Sequence, residues 1–149
     1  MVKSCCVPDP RPIATLAAIA AGGALGAPAR YELGLAWTPS EHGIPWATFT
    51  ANVSGCFVLG VLLVLILERW PPTHYVRPFA ATGFVGAYTT WSTFVVEMSV
   101  LTKDGRAGTA ALYGGTSLVG GLLATVAGMR LARRGGSGRP SGELIDPDV

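Results

Sequence analysis

Four stretches without a single charged side chain, 12–29, 46–67, 78–96 and 107–129, dominate this 149-residue sequence. A helix needs roughly 20 mostly apolar residues to cross the hydrocarbon core of a bilayer. Each stretch reaches or approaches that length once its flanks are included. Only 13% of the residues are charged, and they gather in the connections and at the two ends. The sequence therefore predicts an all-α membrane protein with four transmembrane helices, at about 12–35, 46–68, 76–101 and 107–131. A polar lead (1–11) precedes this single domain, and a flexible tail (132–149) follows it. The first stretch is too long for the apolar core of a signal peptide and lacks a convincing cleavage site. Its Gly22-to-Gly26 spacing suits helix packing instead.

The third stretch departs from an ordinary span. Tyr88, Thr89, Thr90, Ser92 and Thr93 place five hydroxyls within six residues, just after Gly83 and Gly86. Within the membrane, backbone leaves regular helix only where protein or a water-filled cavity covers it. A glycine-then-hydroxyl run at that depth points to a broken helix lining something polar. The plainer reading is a packing face, since small residues and hydroxyls join membrane helices. The length of the run and the acid that ends it, Glu97, favour a conduction path.

The other helices supply facing groups. The first is rich in Ala and Gly, with Pro28 placed to bend it near its end and Arg30 at the expected interface beside Tyr31. Arg30 there either snorkels to water or sets a positive charge at the mouth of an anion path. In the second, Thr48 and Asn52 share a face, continued by Gly55 and Cys56. Asn52 reads as an interhelical hydrogen-bonding amide or as a donor to a passing ion, and residues 57–67 as a lipid-facing surface. The fourth helix places Tyr113 and Ser117 four apart among glycines.

Chemistry of other kinds finds no support. The sequence has no phosphate-binding glycine loop, metalloprotease helix or nucleophile set, so an enzyme is not expected. Cys5, Cys6 and Cys56 form no CxxC pair and have no histidine at zinc spacing. Cys56 reads as a small packing residue; Cys5 and Cys6 precede the first helix, where palmitoylation is the alternative to plain exposure. His42 and His74 fall in connections and read as solvated. The formal net charge of +2 selects no partner, and the basic residues lie where they set membrane orientation. What remains is a track of neutral donors without a central Lys or Arg. Such donors replace the hydration shell of a small anion without trapping it, and aromatic edges at Trp91 and Phe94 add weak attraction.

Four pieces, GGALGAPARY from Gly22, WATFTANVSGCFVLG from Trp46, GFVGAYTTWSTFVVE from Gly83 and YGGTS from Tyr113, resemble the Fluc/CrcB fluoride channels in the right order. The resemblance implies an antiparallel dimer in the cell membrane, with two fluoride pores and a central sodium ion. It implies passive export of fluoride that entered as HF, hence fluoride resistance. Position by position it makes Asn52 the pore amide and Thr48 part of a polar track. Thr90, Ser92, Thr93, Tyr113 and Ser117 become hydroxyl lining, Glu97 an acid near one pore end, and Arg30 a vestibule residue. Gly86 and Thr89 would give backbone carbonyls to sodium. The family's paired phenylalanines fall on Trp91 and Phe94, and tryptophan at the first is a departure. A small multidrug-type or other ion-coupled exporter is the alternative. Such pumps carry an acid within the first helix, and none precedes Glu32 here. A non-conducting assembly subunit would leave the hydroxyl track unexplained.

With four spans, eight of the 11 basic residues lie on the side shared by both termini and three on the other. That bias predicts cytoplasmic termini. It also predicts one fixed orientation, so that an antiparallel pair calls for an oppositely oriented homologous subunit; the alternative is a homodimer that forms despite the uneven loop charges.

Overall fold

The computed structural model describes residues 10–37, 43–69 and 75–135, and among them the chain is helical with no strand. Helix α1 is Pro10–Ala36. Helix α2, Trp46–Val64, runs on into one wider π-helical turn, Leu65–Arg69. A π-wound segment, Arg77–Val85, continues as the single α turn Gly86–Tyr88, and the two together are α3. Helix α4 is Trp91–Lys103 and α5 is Ala107–Arg134. Among the described residues three helices are long and apolar enough to cross a bilayer: Pro12–Ala36, Trp46–Arg69 and Ala107–Arg134. The chain is a multi-pass membrane protein. Cys5, Cys6, His42 and His74, like most of the lead and of the tail, lie outside the described residues, while the last two lead residues already belong to α1.

Two close helix pairs organise the molecule, and glycine makes both. Where α1 meets α3, a Cβ at Gly22 would strike the Phe79 carbonyl oxygen and one at Gly26 that of Phe84. From the other side, a Cβ at Gly83 would lie 2.5 Å from the Ile19 carbonyl oxygen. Where α2 meets α5, Gly60 lies against the Thr125 carbonyl and Gly128 against that of Phe57. Lipid tails are as apolar as leucine, so helices in a membrane associate through this kind of tight backbone contact rather than through a hydrophobic force. The second pair is parallel, with contacts recurring at an offset of 65 residues: Cys56 packs on Gly121, and Glu68 pairs with Arg133 at 2.6 Å. Arg69 adds a bond to the Arg133 carbonyl at 3.2 Å.

One expectation changes. Residues 57–67 are not a uniform lipid face, because Gly60 and Val64 are buried; the glycine seam turns that side of α2 onto α5. Pro28 lies inside α1, which continues through it. Cys56 packs as expected, its sulfur 3.3 Å from the position a Cβ on Gly121 would take.

Candidate functional site

Between α3 and α4 the backbone straightens for two residues. Thr89 has φ −85° and ψ 158°, and Thr90 has φ −148° and ψ 123°. Extended backbone inside an apolar protein needs partners for its polar groups, and α2 provides them. Asn52 Nδ2 donates to the Thr90 carbonyl at 3.0 Å, and the Thr90 N–H donates to Asn52 Oδ1 at 2.8 Å. One side-chain amide thus stands in for a neighbouring strand. One turn further along α2, Gly55 leaves the room that the Thr89 methyl group occupies.

Thr90 then caps α4. Its Oγ1 accepts from the Thr93 N–H at 3.2 Å and donates to Thr93 Oγ1 at 3.0 Å, with Ser92 Oγ 3.4 Å away. A threonine that accepts from the N3 amide is a standard stabiliser of a helix start. These diversions leave specific carbonyls short of their helical donors. The Thr90 N–H that would serve Gly86 goes to Asn52, and the Thr89 N–H goes to Val85 at 2.9 Å. The Thr93 N–H that would serve Thr89 goes to Thr90 Oγ1. The Thr89 carbonyl instead meets the Arg30 guanidinium at 3.4 Å. Arg30 therefore sits beside the extended pair.

A second polar knot lies on α4. Thr48 Oγ1 donates to Glu97 Oε1 at 2.7 Å, and the Tyr113 hydroxyl donates to Glu97 Oε2 at 2.8 Å. Both carboxylate oxygens are satisfied by neutral groups from two other helices. Tyr113 is fully buried, and its ring lies 5.1 Å from that of Phe94. Phe94 in turn lies 5.3 Å from Trp91, tilted 40°. The two aromatics differ sharply in exposure: Phe94 is 4% exposed and Trp91 68%.

Two clefts flank the extended pair and share Thr90. One of about 380 Å³ is lined by Arg30, Tyr31, Thr48 and Thr93. The other, about 430 Å³, is lined by Asn52, Thr89, Trp91, Phe94 and Ser117. Ser117 Oγ is buried there and has no hydrogen-bond partner, an unusual state for a hydroxyl away from water. The structure thus gathers Arg30, Thr48, Asn52, Thr89, Thr90, Thr93, Glu97, Tyr113 and Ser117 around one break. Ser92 and Trp91 lie on its exposed side. Ser54, which the sequence gave no reason to single out, bonds the Tyr88 hydroxyl at 2.9 Å. It stands two residues from Asn52, off the helical spacing by which Asn52 and Thr48 were paired. Among the described residues no three His, Cys, Asp or Glu side chains converge, so a cation held here would rely on carbonyl oxygens.

Residues 17–129 match the profile of a family described as CrcB-like protein, Camphor Resistance (CrcB). Among similar proteins is one named fluoride-specific ion channel FluC 3, from Streptomyces avermitilis, 50% identical over 118 residues. That match covers 79% of this chain but 58% of the relative's own length. One named FluC 2, from Nocardia farcinica, is 45% identical over 79% of this chain and 81% of its own length. One named FluC 1, from Streptomyces coelicolor, is 41% identical over 80% and 77%.

Proposed function

We propose, from the premise that this chain belongs to the CrcB-like family, that it forms a fluoride-selective channel giving passive export of the ion. It transports and does not catalyse. The observation that carries the reading is the buried, unpartnered hydroxyl of Ser117, a residue that lines the same cleft as Asn52 and Thr89. A small, strongly hydrated anion takes up such donors in place of its water shell. Asn52 spends one N–H on Thr90, leaving its second for the anion. On the other side Thr93 keeps a hydroxyl proton for the anion, while Thr90 donates its own to Thr93, and Thr48 and Tyr113 spend theirs holding Glu97 between them. Held that way, the carboxylate is turned from the path of an anion.

The interruption at Thr89 and Thr90 is read as a break in a third membrane span made of α3 and α4, giving four spans in all. The donor accounting above fits a sodium ion held by backbone oxygen. The carbonyls of Gly86 and Thr89 have lost their helical N–H partners, and hard cations take carbonyl oxygens. Sodium bound there would supply fixed positive charge at the centre of an antiparallel dimer. Trp91, largely exposed on the single chain, would then be covered by the second subunit.

Fluoride efflux from liposomes holding the purified protein tests the channel reading. Rapid fluoride release with chloride retained is expected; equal release of both ions, or of neither, overturns it.

The termini are placed in the cytoplasm by the basic bias, and the partner is read as an oppositely oriented homologue. Single cysteines introduced at 103 and 73 should label from opposite sides of the membrane in intact cells. Equal labelling of both from outside would refute a fixed orientation.

A further inference from the structure

We propose that Arg30 competes with a cation for the Thr89 carbonyl, so that this one side chain sets how much sodium the assembled protein needs. The inference rests on the sodium reading above and concerns a residue that reading leaves in the vestibule. Arg30 is partly buried on α1, and among the described residues no carboxylate lies within ion-pair distance of it. Its recorded polar partner is the Thr89 carbonyl, 3.4 Å from NH1. That oxygen is free to accept because Thr90 Oγ1 has taken the Thr93 N–H. The neighbouring freed carbonyl, Gly86, belongs to the same turn. A guanidinium and a sodium ion on one carbonyl oxygen would be like charges a few ångströms apart, away from bulk water, where repulsion is only weakly screened.

No carboxylate pairs with Arg30 directly among the described residues. Glu97, at the break, is held away by the hydroxyls of Thr48 and Tyr113, one on each of its oxygens. The positive charge of Arg30 thus bears on the cation site without an ion pair of its own. In the single chain the guanidinium satisfies an otherwise unpartnered carbonyl; on assembly it opposes the ion that takes that place. One residue then serves two ends, drawing anions toward the cleft it shares with Thr48 and Thr93 and keeping the cation site weak.

The test is thermal stability of the full-length dimer in detergent, with sodium titrated against N-methylglucamine at constant ionic strength. Arg30→Gln keeps a donor for Thr89 and removes the charge, and its sodium midpoint should fall about tenfold below that of the parent. Arg30→Lys should stay near the parent. Simple structural damage would weaken sodium binding, so a lowered midpoint separates the two explanations. If Arg30→Gln does not fold, Arg30→Met removes the same charge and carries the same expectation. A parent that responds to sodium with variants unshifted or weakened overturns the role of Arg30 alone. A parent with no sodium response overturns the sodium reading and this proposal together.

Discussion

Replacing Asn52 with Asp is expected to lower fluoride flux on the order of 100-fold, because a like charge in the path of an anion costs several kcal/mol. The geometry also says how the variant will fold. One Asp oxygen still accepts from the Thr90 N–H, while the other faces the Thr90 carbonyl that Asn52 Nδ2 now serves. Some stability is lost, and the extended pair is kept on one side. Asn52→Ala separates the two roles of the amide: it adds no charge, but strips Thr90 of both partners at about 1–3 kcal/mol for each buried group left unsatisfied. Flux through reconstituted vesicles and melting of the same preparations measure both. Asn52→Asp conducting like the parent would remove Asn52 from the path.

Thr90→Pro should be more damaging still, abolishing folded protein rather than transport alone. Proline fixes φ near −65° and carries no N–H, whereas Thr90 has φ −148° and donates its N–H to Asn52. The change also deletes the hydroxyl that caps α4, a loss worth about 1 kcal/mol by itself. Thr90→Ser keeps the φ, the N–H and the cap, and should elute and melt like the parent. Monodisperse, stable Thr90→Pro on size exclusion would show that the extended pair does not hold the fold together.

Much of this was legible in residue order, and what was not has a physical cause. Charge-free stretches revealed the long helices because burial in lipid demands them. The spacing of Thr48 and Asn52 put both on one face, and the hydroxyl run marked the place where regular helix stops. The partners of those groups could not be read. Spacing reveals which way Asn52 points along its own helix, but nothing in it names the Thr90 backbone as the receiver. Nor did it pair Glu97 with Thr48 and Tyr113, since those contacts join three helices. The lipid-facing expectation for 57–67 failed for a related reason: apolar residues look alike whether they meet lipid or α5, and only the glycines at 60 and 128 carried the difference. Nor did spacing name the Thr89 carbonyl as a partner of Arg30, because that contact joins residues 59 apart in the chain.

The interleaving of the two glycine seams has a consequence for biogenesis. The groove on α1 fits α3, and the groove on α2 fits α5, so neither early helix meets its mate until later segments have left the ribosome. The length and apolarity of both are sufficient for either to cross the bilayer without that mate. The stretch formed by α3 and α4 is different, for neither piece qualifies alone as a membrane-crossing helix. Its interrupted backbone would be exposed to lipid if it arrived first. Arriving after α1 and α2, it finds a glycine track to lie against and an amide waiting for Thr90. The order of the chain makes the first half a template, and the interrupted stretch of α3 and α4 is laid down on it.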